Sequence, residues 1–385
     1  MKTEARVTQI GLDGHRTFGI ATARGADLGV LWRERLEYAD RAELRERLAQ
    51  WPKGTPVVLE STFGWGWMSD ELIAAGLDPH LANCRKVASW RDARGVAKSN
   101  RLDSDLLSEL WSQQPRWWEV WLAPPAVREE REWMRYRMSL VATQTTLKNR
   151  IHAVLHRHGI VNEESDLFGT KGRRFLSLLI APGDTRLPES GRATLQGYLQ
   201  LLDQVRRQMA RVTWELRQRV AESAAGLRLM TLPGVAWILS YTILAEIGEI
   251  ERFGSAKHLA SYSLLVPRAR DSGEQREGQE PIGRHIGQAG RRTLQWAWIE
   301  AAHGAVRSGG RFRRIFDRVT NGGQKNRNRG YVAVAHELCR VGYVLMRKNV
   351  DYAEDRPERP GQRSKRRNSR PGTGQPDGAM VAAVH

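Results

Sequence analysis

Three acidic residues and one serine are the side chains here whose types and settings suit chemistry on a phosphate. Asp13 closes a short apolar run, Val7 to Leu12, and Glu60 closes another, Val57 to Leu59. A carboxylate at the end of a buried strand is costly unless it is solvated, paired or bound to a cation. Two such carboxylates from strands and a third, Asp103, from a helix make a set suited to a hard divalent ion such as Mg2+, the ion that serves phosphoryl transfer. Taken singly, Asp13 also fits a turn cap and Glu60 a solvent-facing edge. Ser272 stands in Asp271-Ser272-Gly273 between Arg270 and Arg276, on a stretch with glycines at 273, 278, 283, 287 and 290. A hydroxyl flanked by arginines, on a backbone that lets a phosphodiester come close, has the reach, charge and room that a serine nucleophile needs. The same tripeptide also suits a polar turn in which Ser272 bonds its own backbone.

The elements that must position these residues alternate at first and then turn helical. Phe18 to Thr22 reads as the hairpin partner of the first strand, Met68 to Ala75 as a helix closed by Gly76, and His80 to Ala82 as a short strand. Leu102 to Trp111 reads as a helix with Leu102, Leu106 and Leu110 on its apolar stripe. This alternation predicts an α/β domain over residues 1–112. Leu140, Leu147, Ile151 and Val154 recur at helical spacing, as do Leu195, Leu199, Leu202, Val205, Met209, Val212, Leu216 and Val220. That pattern predicts a long coiled-coil arm over 113–222, with 162–190 as the connection inside it. Its basic residues, among them Lys148, Arg150, Arg206 and Arg207, fit a solvated face or an arm that binds nucleic acid and joins copies into a homo-oligomer. Leu232-Pro233-Gly234-Val235 marks a tight turn between two apolar helices, a helix-hairpin-helix-like element whose restart also offers backbone N–H groups to a phosphate. Helices at Arg292 to Val306, Phe312 to Val319 and Tyr331 to Met346 make 223–350 all-α. Residues 351–385, rich in Arg, Pro, Gly and Ser, predict a disordered basic tail.

Charge points to the partner. The chain has 385 residues with 61 Lys and Arg against 43 Asp and Glu, a formal net charge of +18 that calls for a polyanion. Arg268, Arg270, Arg276, Arg284, His285, Arg291 and Arg292 in and around the glycine-rich stretch, with Lys325 and Arg327 further on, are the candidate nucleic-acid contacts. A membrane partner lacks support, because the longest apolar run, Val235 to Ile247, is interrupted by polar residues and too short to span. Cys84 and Cys339 have neither disulfide-framework nor zinc-ligand spacing. The first residues lack the apolar core of a secretion signal, so the expected location is the cytoplasm.

Four stretches in order carry a resemblance beyond spacing. Ile-Gly-Leu-Asp13, then Leu-Glu60-Ser-Thr-Phe-Gly-Trp, then Lys-Ser-Asn100-Arg-Leu-Asp103-Ser, and finally Leu-Pro-Gly-Val with the Ser272-Gly273 stretch and Gly-Arg-His-Ile-Gly-Gln-Ala-Gly-Arg-Arg-Thr-Leu resemble the DEDD-type insertion-sequence transposases related to the Piv DNA invertase. That family is described as bridge-RNA-guided recombinases, and the likeness runs from about residue 7 to about residue 350. It implies an RNase H-like N-terminal domain similar to Holliday-junction resolvases, a helical coiled-coil arm and a C-terminal transposase domain. It implies that Asp13, Glu60 and Asp103 bind Mg2+, that Ser272 attacks the scissile phosphate of DNA to form a covalent intermediate, and that a structured non-coding guide RNA takes part. Where the family has a further Asp, this chain has Asn100, which still offers a carbonyl oxygen to the metal with one negative charge fewer. A metal-dependent junction nuclease using the N-terminal acids alone, and a catalytically inactive nucleic-acid-binding relative, are the alternative expectations.

Overall fold

The computed structural model describes residues 6–62, 64–97, 99–162, 164–268, 285–286 and 292–353, with the backbone alone at 267–268 and 285–286. By its contacts the chain divides into two compact units, residues 1–212 and 213–385.

The first unit opens on a mixed sheet of six strands, β1 Gln9–Gly14, β2 Phe18–Arg24, β3 Val30–Glu37, β4 Pro56–Glu60, β5 Asp78–Ala82 and β6 Glu119–Val120. Their order is β3-β2-β1-β4-β5-β6. β1, β2 and β3 form an antiparallel meander, β4 runs parallel to β1 and β5 parallel to β4, and β6 closes the far edge antiparallel. The most apolar runs take the centre, where Ile10, Leu12, Val57 and Val58 are wholly buried. β3 has a charged alternation with Leu36 as its one buried residue, which suits an edge. That polarity is why sequence reading finds β1, β2, β4 and β5 but not β3.

Helices cover both faces. α1 Arg41–Ala49 and α2 Trp65–Ala74 share a core with Ile10, Leu12, Val57 and Leu59. α3 Cys84–Ala93 and α4 Asn100–Leu110 share another with Val58, Ala82 and Trp118. Because side chains alternate along a strand, the residues between those on the first face, Gly11 and Asp13 on β1 and Glu60 on β4, belong to the face of α3 and α4. Leu106 and Leu110 are buried as the helical stripe predicts, but Leu102 is exposed at the start of α4. The face of α4 that meets the sheet runs instead through Ser104, Leu107 and Ser108. Small side chains there let the helix lie so close that a Cβ on Gly11 would fall inside the backbone of Ser104 and Ser108.

The unit continues in α5 Pro125–Arg157, α6 Thr170–Leu179 and most of α7 Glu189–Ala221, whose last residues, from Thr213 on, belong to the second unit. α5 and α7 have 33 residues each, a length of about 50 Å at the helical rise. Leu147, Ile151 and Val154 on α5, Leu176 and Leu179 on α6, and Leu195, Leu199 and Leu202 on α7 form one core. α6 lies within the stretch expected to be a connection; three turns between glycine and proline carry too few apolar repeats to stand out.

In the second unit, Ser223 caps α8 Ala224–Met230, its hydroxyl accepting from the Gly226 N–H at 3.1 Å. α9 Trp237–Ile247 and α10 Ala256–Tyr262 follow, then a ladder of β7 Pro267–Arg268 with β8 His285–Ile286, then α11 Arg292–Ser308, α12 Gly310–Thr320 and α13 Arg327–Lys348. The core is centred on Ala297, Trp298, Ala301, Ala302 and Ala305 of α11. Gly234, at φ +83°, backs directly onto α11, where a Cβ would run into the Ala301 carbonyl. The Pro-Gly turn thus serves packing. No helix among the described residues is long and apolar enough to cross a membrane.

Candidate active site at the carboxyl ends of the central strands

The register that sets Leu12 beside Leu59 leaves Asp13 and Glu60 as the next residues of neighbouring parallel strands. Both are partly buried and both lie on the face of α4. The direction of α4 follows from its contacts with β1. The Gln9 side-chain amide donates to the Ser108 carbonyl, and the Ser112 hydroxyl donates to the Gln9 side-chain oxygen at 3.0 Å. Gly11 faces Ser104 and Ser108. Two residues of strand advance about 6.6 Å and four of helix about 6 Å, so the helix runs back against β1 and its first turn, with Asn100 and Asp103, lies level with Asp13.

The two aspartates of α4 leave the helix on opposite flanks. Asp103 turns toward α3, with Oδ1 at 3.5 Å from the Arg91 Nη1. Asp105 turns toward β2 and β3, where it accepts from Arg33 Nε at 2.9 Å and Nη2 at 2.8 Å, and from the Thr22 hydroxyl at 2.9 Å. Burial by itself would push the Asp105 carboxyl up, but the hydrogen bonds from Arg33 and Thr22 outweigh it and hold the group below its usual value. Asp105 is therefore tied into the sheet, away from the strand ends. Asn100 is exposed in the first turn of α4, behind the Ser99 cap.

Sequence reading missed two neighbours of Asp13. His15 Nε2 lies 3.1 Å from Asp13 Oδ2, and two-residue alternation from Asp13 would have found it. Tyr38 follows β3, so without that strand there was no signal for it. Its ring meets Trp67 edge-on at 4.9 Å, and burial, then the nearby Asp13 carboxylate, raise its pKa. Among the described residues, no group of three or more His, Cys, Asp and Glu converges to hold a metal ion. At the carboxyl ends of β1 and β4 two carboxylates stand in register, with Asp103 at the same end and turned to Arg91. Buried Cys339, pushed up to about 12 by burial, is no alternative nucleophile.

The remaining candidates belong to the second unit. Ser272, Arg270, Arg276, Arg284 and Arg291 lie outside the described residues. Arg268 and His285 pair through their backbones across the β7–β8 ladder. Arg292 is exposed at the start of α11, and Lys325 and Arg327 are exposed before and at the start of α13.

Residues 226–317 match the family model described as Transposase IS116/IS110/IS902 family. The pilin gene-inverting protein of Moraxella bovis is 32% identical over 124 residues, which cover 31% of this chain and 36% of that protein. An uncharacterized 43.6 kDa protein of insertion element IS110 from Streptomyces coelicolor is 26% identical over 129 residues, 34% of this chain and 30% of that protein. The chain thus spans about a third of the length of these two relatives. The transposase for insertion sequence element IS1328 of Yersinia enterocolitica is 22% identical over 362 residues, 90% of this chain and 99% of that protein. In residues 226–317, this chain carries a transposase domain of the IS116/IS110/IS902 family.

Proposed function

We propose that the chain is a DNA transposase of an insertion sequence, which cuts and exchanges DNA strands through the strand-end acids and Ser272. The observation that carries this reading is the transposase-family match of residues 226–317, in a chain whose first unit sets Asp13 and Glu60 side by side in the register of β1 and β4. Supporting it are the antiparallel meander followed by parallel strands, which we read as an RNase H-like unit, and the long α5 and α7, which we read as its helical arm. Asp13, Glu60 and Asp103, with the Asn100 side-chain oxygen, are the residues that would hold Mg2+. That ion would neutralise charge on a phosphate oxygen. In the covalent step the Ser272 oxygen forms a bond to phosphorus as one backbone P–O bond breaks. The departing DNA oxygen leaves as a hydroxyl, taking up a proton equivalent to the one serine gives up, and the reverse reaction with a different strand completes exchange. Arginines around Ser272 serve to neutralise the phosphate. The reading includes a structured RNA partner, to be sought as RNA that copurifies with the protein and is shielded from nuclease.

The deciding experiment is Ser272→Ala on a DNA substrate. The variant folds and binds DNA but forms no covalent protein–DNA adduct. An adduct that persists, or that maps by mass spectrometry to another serine, overturns the assignment; intact strand cleavage without Ser272 leaves a metal-dependent nuclease using the N-terminal acids alone. A second measurement concerns Asn100. Restoring the charge with Asn100→Asp lowers the Mg2+ concentration needed for half-maximal activity, and no change in that requirement removes Asn100 from the site.

A further inference from the structure

Between Gly310 and His336 the chain has seven Lys and Arg against one Asp. The acids within reach are already engaged: Asp317 accepts from Arg313 at 2.9 Å, and Glu337 pairs with Arg311 and with Arg340. Arg314, Arg318, Lys325, Arg327 and Arg329 are all exposed and, among the described residues, form no ion pair. Arg314 and Arg318 are four apart on α12 and so share a face. Arg327, Asn328 and Arg329 make the first turn of α13 and, with Asn326, line a surface hollow.

The corner that carries these side chains is built stiffly. α13 begins flush against the end of α12, where a Cβ on Gly330 would strike Thr320 and Phe316. The turn is closed by Gly322 N–H donating to the Asp317 carbonyl at 2.9 Å, Gly323 N–H to the Thr320 hydroxyl at 2.8 Å and Lys325 N–H to the Thr320 carbonyl at 2.9 Å. Asn321 and Asn326 take the left-handed conformation at φ 51° and 49°, which asparagine tolerates better than most residues. The charges are thus held in place before any partner arrives, so little ordering has to accompany binding.

We propose that this α12–turn–α13 corner is a docking surface for duplex DNA, with the first turn of α13 at the base edges of the major groove and Arg314 and Arg318 on the flanking phosphates. Arginine and asparagine are the side chains that pair bidentately with guanine and adenine edges in that groove. A helix entering the groove by its first turn, with the preceding helix against the backbone, is an established way of presenting them. The major groove of A-form RNA is too deep and narrow for this, which selects DNA. The choice of DNA rests on the transposase reading above.

The test uses the full chain with unrelated and element-end duplexes. Replacing Arg314, Arg318, Lys325, Arg327 and Arg329 together by Gln lowers affinity at least tenfold at low salt and flattens its salt dependence, while Lys325→Gln alone reduces the slope of log affinity against log salt by about 1. In the unmodified protein, bound duplex shields Arg327 and Arg329 from phenylglyoxal, a readout independent of whether a variant folds. Equal affinity of wild type and the fivefold variant, undiminished arginine reactivity in the complex, or shielding by structured RNA and not by duplex each overturns the proposal while the transposase reading stands. If wild type binds no duplex at all, both fall together.

Discussion

The paired arginines of the sheet and its neighbouring helices and five exposed basic residues of the α12–α13 corner carry the same charge in opposite circumstances. Arg33 is held by Asp105, Arg24 and Arg94 by Glu109, Arg41 and Arg45 by Glu71, and Arg128 by Asp70. Each spends its charge inside the fold, and Arg24 also donates to the Ser108 hydroxyl at 2.7 Å, fastening β2 to α4. At the corner, Arg314, Arg318, Lys325, Arg327 and Arg329 are exposed and, among the described residues, have no such partners. A paired guanidinium must break its pair before it can meet a phosphate, whereas an exposed one only releases counterions. A formal charge of +18 therefore mixes two jobs, and only the distribution of acids separates them.

The comparison is broken most severely by loosening α4 from the sheet, because the pairs of Asp105 and Glu109 depend on its position. Gly11→Ala puts a methyl group where the backbone of Ser104 and Ser108 stands, and about 3 kcal/mol of stability goes with the forced displacement. Thermal unfolding reads this, and an unchanged Tm would mean that α4 does not lie on β1.

Next comes Asp105→Ala. It leaves Arg33 and Thr22 without their shared acceptor and costs about 2 kcal/mol in denaturant unfolding, while strand exchange per folded molecule is retained. Loss of chemistry in the folded variant would move Asp105 into the active site. The same residue gives a pH dependence. Asp105 and Glu71 have carboxyls held below their ordinary values, the first against its burial by Arg33 and Thr22, the second chiefly by the hydrogen bond from Arg45. A lowered folded-state pKa means stability that is present above the unfolded value, near pH 4, and lost as pH falls below it. Asp105→Ala makes the acid loss shallower, and an acid limb identical to wild type would refute the pairing.

The smallest expected effect is on stability at the corner. Arg314→Gln or Arg327→Gln changes unfolding free energy by no more than about 0.5 kcal/mol, even as DNA binding weakens. A larger destabilisation would show that these side chains hold the fold together as Arg24 and Arg33 do.

The sequence by itself determined the strand-end acids, the central strands that carry them, the long apolar stripes of α5 and α7, and the turn at Leu232-Pro233. Those features are local: an apolar run ending in an acid, a three-and-four spacing, or a Pro-Gly pair says the same thing wherever it occurs. Asp103 and Asp105 stand about 200° apart around α4 by helical spacing. Tertiary structure alone decided what each aspartate meets, because Arg91 is brought by α3 and Arg33 by β3, an edge strand too polar to be read beforehand. It also placed Asp13 and Glu60 on one face, since the pairing of β1 with β4 joins segments more than forty residues apart. The meaning of the basic residues was decided there too. Composition counts charges, but a charge is internal or available only according to which acid the fold sets beside it.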